Sequence, residues 1–367
     1  MTTKDIADYL EIEPVGDGEL ETPVPVVDLD IVDANLRRWQ DRCTSLGLNN
    51  RPHIKTHKLV GLARYQLDLG AVGISVQKLG EAEVMADGGI TEMLLTFNIV
   101  GASKLRRLAD LARRTNISTV ADNAVVVEGL GQAGLAAGRD IAVLVECDTG
   151  AARNGVPTPE AALQLAQLID ATPGVRYGGL TTYPATGERL RSAAFFSEAR
   201  DLIAAVAGLE TEHISSGGTP DMWKDDGLDI VTEYRAGTYA YFDRSVIAAG
   251  ACTVDDCALK VRSTIVSVPT PDRAILDAGS KALTSDLLGF ADYGSVPSLP
   301  GTRVSNVNEE HGFFDISKLA SKPRVGDWVD ILPNHACPVS NLFDKIALVR
   351  GGRLLGLTPV DARGRVW

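Results

Sequence analysis

Residues 141–183, IAVLVECDTGAARNGVPTPEAALQLAQLIDATPGVRYGGLTTY, contain the unit that decides the fold. An apolar run (IAVLVE) leads through a polar loop into an amphipathic stretch (EAALQLAQLIDA), and a second apolar run (VRYGGL) follows. Strands separated by helices of this length are βαβ units, which give parallel strands. The rhythm extends outward in both directions. Upstream stand PVPVVDLD, ANLRRWQDRCTSLG, RPHIKTH, LARYQLDLG, VGISVQ, GEAEVMADGG, EMLLTFN, KLRRLADLARR and ISTVAD, and downstream SAAFFSEARDLIAAVAG and TEHISSGG. Roughly eight strand candidates before residue 245 fit a closed (β/α)8 barrel better than an open sheet. After about residue 250 the helical period fades, and ALKVRSTIVSVPT, RAILDAG, KPRVGDWVDILP and DKIALVRGGRLLG read as strands broken by Gly, Pro and Asp. The expected organisation is an N-terminal segment over 1–23 packing on the C-terminal domain, an α/β barrel over 24–248, and a β-rich domain over 249–367.

Composition agrees with such a chain. At roughly 150 residues per domain, 367 residues make about two domains. Apolar residues at 45% and charged residues at 23% exclude disordered, collagen-like and coiled-coil classes. A net charge of -12 without a basic run argues against nucleic acid or an anionic membrane as partner, so an anionic ligand needs a local site. No signal-like start and no membrane-length apolar run are present, which leads us to expect a cytoplasmic protein. Five dispersed cysteines do not form a disulfide framework.

In a (β/α)8 barrel the active site lies at the C-terminal ends of the strands, so the residues after each apolar run carry the functional reading. RPHIKTHK (51–58) places Lys55 between His53 and His57, and strand alternation would point all three into the barrel mouth. Desolvation and neighbouring positive charge suit such a lysine to Schiff-base chemistry, although a lone lysine is more often a surface charge. HISSGGTP (213–220) and EYRAGTYAYFDR (233–244) supply glycines, hydroxyls and backbone N–H groups of the kind that cradle a phosphate. ECDTGAARNGV (146–156) puts Asp148 and Arg153 above the mouth, where Arg153 either binds an anion or joins a loop salt bridge. In PNHACPVSNLFD (333–344), His335 and Cys337 would face the same way on an extended segment, an imidazole–thiolate pair that favours zinc. GLGQAG (129–134) matches G-x-G-x-x-G but lies in a helical stretch, so it is not read as a dinucleotide site. Trp223 is read as packing rather than covering the site.

Together RPHIKTHK, DTGAARNGV, ISSGGTP, EYRAGTYAYFD, DAGSKALTSD, NEEHG and PNHACPVSN resemble the D-serine dehydratase and D-threonine aldolase family, pyridoxal-phosphate (PLP) enzymes of the alanine-racemase-like fold. The resemblance runs from about residue 24 to the C-terminus. It implies a homodimer acting on a small D-amino acid, with Lys55 as the lysine that forms the Schiff base with PLP. It places Gly217, Gly218, Thr219, Gly237 and Thr238 around the cofactor phosphate and Gln77, Arg153 and Tyr183 near its ring, and it adds Ser216 and Tyr239 as cofactor-binding residues. His335 and Cys337 would hold a divalent metal, and His311 falls at a position of less defined role.

Aldolases of the family tend to carry His-x-Asp at the metal position, suited to Mn2+ or Mg2+, and dehydratases His-x-Cys, suited to Zn2+. The cysteine here, and the absence of a histidine in YPATGERL after Tyr183, imply elimination. A D-3-hydroxyamino acid would then lose its β-hydroxyl with zinc assistance and yield a 2-oxo acid and ammonia. The alternatives are an aldolase giving glycine and an aldehyde, and a racemase or non-catalytic PLP-binding protein.

Overall fold

The computed structural model describes residues 4–367, apart from the side chain of Asp17. Strand β1 (Val24–Asp28) comes first. Strands β2 (Asn49–Asn50), β3 (Ile74–Val76), β4 (Glu92–Leu95), β5 (Asn116–Ala121), β6 (Ile141–Glu146), β7 (Val175–Thr181), β8 (His213–Ser216) and β9 (Glu233–Tyr234) follow, with helices between most of them. These eight form one parallel sheet in the order β2-β9-β8-β7-β6-β5-β4-β3. Its two edges meet through Val72 N–H to Asn50 O (2.9 Å), Ser75 N–H to Pro52 O (2.8 Å) and Ile54 N–H to Ser75 O (3.0 Å), which closes the barrel.

Local chemistry sets the helix ends. Asp28 caps α1 (Leu29–Leu46) by accepting from Asp30 and Ile31 N–H, and Gly47 ends it in the left-handed region. Thr158 caps α6 (Pro159–Ala171), whose first residue is a proline that needs no N–H partner. GLGQAG lies wholly within α5 (Ala124–Ala137), as its helical period predicts.

Inside the barrel, Leu94, Val120 and Leu144 form a small apolar cluster of their own. Leu94 and Leu144 line a polar cavity at the N-terminal ends of the strands, and Val120 lines the cleft at the C-terminal ends. The cluster therefore plugs the barrel between the two. A sheet whose strands are buried on both faces can afford polar residues on its inner face only when they are paired. Arg51 and Glu233 make such a pair at 2.7 Å, and the Ser215 hydroxyl donates to the same Glu233 carboxylate.

The second sheet holds β10 (Leu259–Thr270), β11 (Arg273–Leu276), β12 (Gly294–Ser295), β13 (Arg303–Val307), β14 (Gly312–Asp315), β15 (Trp328–Pro333), β16 (Lys345–Arg350) and β17 (Arg353–Pro359). It also contains β1, antiparallel to β10 and parallel to β16. This corrects the expectation that PVPVVDLD opens the barrel: alternation identifies a strand but not its partner, and Val26 packs with Leu20, Val24 and Ala347 of the β-domain side. The N-terminal segment touches both units. Glu13 bridges Leu357, and the one-turn segment Ile6–Tyr9 contacts the helix Val60–Leu69. Residues 1–3 lie outside the described residues.

Two local expectations also change. RPHIKTH is not a continuous strand: after an isolated bridge at His53 the chain turns over Ile54–His57 and passes through Lys58 at φ 58°. HACP is not extended either, because His335 caps a short helix, Ala336–Leu342. Among the described residues no helix is long and apolar enough to cross a membrane, and all five cysteines are free thiols.

Candidate active site

A cleft of about 590 Å3 opens at the C-terminal ends of the barrel strands, where the β-domain reaches the barrel. Lys55 lines it, and its backbone N–H donates to His53 Nδ1 at 3.3 Å. His53 Nδ1 is thus an acceptor, so Nε2 carries the proton and donates to Gln77 Oε1 at 3.2 Å. Burial, then the positive charges of Lys55 and Arg235, hold the His53 imidazole well below its ordinary pKa, which agrees with this neutral tautomer. Gln77 in turn donates from Nε2 to Thr96 O at 3.0 Å, fixing its amide.

The turn after His53 sends the motif's other basic residues away from the cleft. His57 accepts from Leu59 N–H at Nδ1 (3.0 Å) and meets Gln66 Oε1 at 3.2 Å through Nε2. It does not face the mouth, which corrects the alternation reading: alternation stops where the chain leaves the strand. Lys58 is buried in an ion pair with Glu81 at 3.1 Å and bonds Asn341 at 2.8 Å. Among the described residues no carboxylate pairs with Lys55, so of the two motif lysines only Lys55 offers a free amine to the cleft.

Opposite Lys55 the loops after β8 and β9 form a concave wall. Gly217 has φ +108°, and a Cβ there would lie 2.5 Å from the Tyr234 ring, so the chain can pass only as glycine. A Cβ on Gly218 would stand 3.0 Å from the Tyr183 ring, and one on Gly237 3.0 Å from His53 O. Gly237 N–H reaches Thr219 Oγ1 at 3.3 Å and ties the loops together. Thr219 and Thr238 each begin a one-turn helical segment, whose first N–H groups have no partner within the turn. Such a surface fits a phosphate.

Not every residue expected to bind the cofactor lines the cleft. Ser216 lines a small separate cavity beside Ser192 and Phe196. Tyr239 is 1% exposed and receives a hydrogen bond from Gln66 Nε2 at 2.9 Å, deep in the core near Trp39. Both correct the expectation: Ser216 still belongs to the strand, and a tight helical turn sends Thr238 and Tyr239 to different sides.

Arg153 and Tyr183 share the third wall. The guanidinium lies 5.2 Å over the Tyr183 ring and 3.8 Å from Glu146 Oε1, so the loop salt bridge and the cleft position coexist. Burial pushes the Glu146 carboxyl up, against the pull of Arg153 and Arg235, and its Oε2 is buried without a hydrogen-bond partner. Asp148 is spent on the loop itself, accepting from Gly150 (2.9 Å) and Ala152 (3.1 Å).

The fourth wall is the tip of the β-domain. His335 Nδ1 lies 2.9 Å from Asp286 Oδ2, and His335 and Cys337 both line the cleft. Cys337 Sγ is 3.1 Å from Thr56 Oγ1 and 3.6 Å from Thr238 Oγ1. Burial would raise the thiol, but His335, then Lys55 and Thr56, hold it below its usual value. Burial also opposes the imidazolium, yet Cys337 and then Asp286 keep its pKa up at about 9. A thiol beside an imidazole fixed by a carboxylate is a donor pair that fits a soft divalent cation, which His335 and Cys337 would hold. No group of three metal-ligating side chains gathers among the described residues.

Sequence reasoning missed Glu146, Arg235, Thr96 and Asp286. Arg235 donates to Ser215 Oγ and to Thr182 O (2.7 Å) and lines the cleft while 7% exposed. Its signal was the i, i+2 spacing from Glu233, which on a barrel strand puts both inside. Asp286 lies 49 residues from His335 in the chain, and its one signal was its place at the end of DAGSKALTSD. Trp223 packs, with Nε1 donating to Ala251 O at 2.6 Å and its ring edge-on to Trp39. His311 is exposed between β13 and β14, away from the cleft.

A parallel barrel with a free lysine at its mouth, a glycine wall for a phosphate and an antiparallel domain closing one side defines the alanine-racemase-like class, for which PLP is the expected cofactor. The chain belongs to that family: residues 27–245 match "Alanine racemase, N-terminal domain", and residues 258–349 match "Putative serine dehydratase domain". It is 35% identical to D-threonine aldolase of Arthrobacter sp over 94% of this chain and 93% of that protein. With D-threo-3-hydroxyaspartate dehydratase of Delftia sp. it shares 33% identity over 88% and 93%. The crystal structure of D-threonine aldolase from Filomicrobium marinum superimposes with a TM-score of 0.89 at 32% identity, covering 98% of each chain. These relatives are lyases that break bonds next to a D-amino acid centre, either as aldolases or as dehydratases.

Proposed function

We propose that this protein is a PLP- and zinc-dependent dehydratase that converts a D-3-hydroxyamino acid, such as D-serine or D-threonine, into a 2-oxo acid and ammonia. The observation that carries this reading is Cys337, a half-buried thiol that lines the cleft with His335 and lies 3.1 Å from Thr56 Oγ1. A thiolate selects zinc over magnesium or manganese, and a zinc ion next to the β-hydroxyl favours its departure.

PLP supplies an electron sink for the negative charge at the substrate Cα, and zinc supplies a Lewis acid. The chain's own residues do the rest. Lys55 would hold the cofactor, and its amine is the group placed to take the α-proton. Gly217, Gly218, Thr219, Gly237 and Thr238 would receive the phosphate. Arg153, Tyr183 and Gln77 would line its ring, with His53 fixing Gln77. Thr56, hydrogen-bonded to Cys337, would position the sulfur that with His335 would hold the metal. Loss of the β-hydroxyl as water leaves an enamine, whose hydrolysis gives the oxo acid and ammonia.

A second reading, a D-threonine-type aldolase, is favoured by the 35% identity to the Arthrobacter enzyme. One product assay separates the two, run on D-serine, D-threonine and D-phenylserine with and without chelator. Oxo acid and ammonia that vanish on chelation and return with zinc support the dehydratase. Glycine and an aldehyde replace it with the aldolase.

A further inference from the structure

We infer that the cleft accepts D-3-hydroxyamino acids whose β-substituent is uncharged (hydrogen, alkyl or aryl) and rejects the β-carboxylate of 3-hydroxyaspartate. The inference rests on the D-3-hydroxyamino acid chemistry proposed above and concerns only the group the β-carbon carries.

A substrate whose β-hydroxyl meets His335 and Cys337 places its β-substituent against the wall beside that pair. One side of this wall is the short helix Arg244–Ala248 and the residue after it. The helix is bound to the metal loop by Ser245 N–H to Asn334 O (3.2 Å) and by Ala336 N–H to Asp243 Oδ2 (2.9 Å). Its cleft-lining residues are Ser245, Val246 and Ala249. The other side is Leu288, from the loop that brings Asp286 Oδ2 to 2.9 Å from His335 Nδ1. These four side chains offer one hydroxyl and no positive charge.

The nearby arginines are already engaged. Arg244 turns out of the cleft to Asp292 and Asn334 Oδ1 (2.6 Å) and lies 4.4 Å over the Phe290 ring. Arg235 is bound at the barrel end to Ser215 and Thr182, and Arg153 stacks on Tyr183 beside Glu146. The carboxylates beside this wall are Asp243, which accepts from Ser245 Oγ at 2.6 Å, and Asp286, held at His335, and both repel a further one. A carboxylate placed here would find no arginine or lysine partner in the wall, whereas methyl or phenyl would meet Val246, Ala249 and Leu288.

The test uses the PLP- and zinc-loaded enzyme with D-serine, D-threonine, D-phenylserine and D-threo-3-hydroxyaspartate. Two readouts are taken: kcat/KM for consumption of each, and its dissociation constant from the change in cofactor absorbance, which needs no turnover. We expect kcat/KM for hydroxyaspartate at least about tenfold below that for D-threonine, the scale of like-charge repulsion at a partly exposed wall, with binding weakened in the same order. Leu288→Arg and Ala249→Arg, both at exposed positions, should each raise hydroxyaspartate kcat/KM about tenfold at low salt by supplying the missing charge. Hydroxyaspartate equal to or better than D-threonine in the unmodified enzyme overturns the inference, as does no gain in either arginine variant. Glycine and aldehyde as products overturn the elimination reading alone, because the substrate ratio is read from consumption. No binding of any of the four overturns both.

Discussion

Thr56 Oγ1 lies 3.1 Å from Cys337 Sγ, so the residue next to Lys55 is in contact with a residue 281 positions away on the β-domain. The barrel supplies the Lys55 amine and the glycine wall, and the β-domain supplies the His335 imidazole and the Cys337 thiol. Neither half completes the cleft alone, so a lysine near the start of the chain and a His-x-Cys pair near its end share one site.

The metal pair gives the first prediction. Cys337→Ala should keep the visible absorbance of bound PLP, because none of the cofactor-holding residues changes. Turnover should fall on the order of 100-fold or more, the several kcal/mol that a Lewis acid supplies, and the residual rate should ignore chelator. Cys337→Asp should restore part of the activity with manganese or magnesium in preference to zinc. Full activity of Cys337→Ala without added metal would refute the zinc assignment.

The two lysines of RPHIKTHK should separate cleanly. Lys55→Ala should lose the absorbance of the lysine-linked cofactor and all turnover, with little change in thermal stability. Lys58→Ala should keep the absorbance but lose roughly 3 kcal/mol of stability, because Glu81 is left buried and unpaired. Absorbance spectra and denaturant titrations of both variants check this, and the reverse pattern would exchange their roles.

Gly217→Ala tests the phosphate wall. A Cβ at 2.5 Å from the Tyr234 ring, on a backbone at φ +108°, must displace either the ring or the loop. PLP affinity should fall about tenfold or more, with a loss of one to a few kcal/mol in stability from the strain. Equilibrium dialysis of the cofactor measures the first effect and thermal melts the second. Gly18→Ala, with nothing near its Cβ, serves as the neutral control.

How much of this could be read in the chain follows from what each signal encodes. Apolar periodicity identified the barrel strands and helices, since parallel strands buried on both faces leave near-continuous apolar runs. It could not assign β1 to its sheet, because pairing partners are set by tertiary contacts such as Val26 with Ala347. The lysine, the glycines and the His335/Cys337 pair were legible as residue types in loops. Their directions were not: His57 and Tyr239 turn into the core because the chain bends at the residue before each. Interior charges such as Glu146 and Arg235 were the hardest to see, since their partners come from strands far apart in sequence.

His57 yields a prediction on pH. Its imidazole is buried and neutral, and burial brings its pKa down to about 3 from an ordinary value of 6.5, against the smaller help of Gln66. Between about pH 6.5 and 3 the unfolded chain binds a proton at this site that the folded chain does not. Stability therefore rises with pH through that window and falls on acidification, by about 1.4 kcal/mol per pH unit for this group. The proton would have to enter at Nδ1, which accepts from Leu59 N–H at the start of the helix Val60–Leu69, so acid should loosen that helix first. His53 contributes with the same sign, so the test is a difference between slopes. His57→Gln should be less stable than the unmodified protein at pH 7.5 but lose less stability on going to pH 5, as measured by urea denaturation at each pH. Equal slopes in the two proteins would mean that His57 does not titrate between the folded and unfolded states.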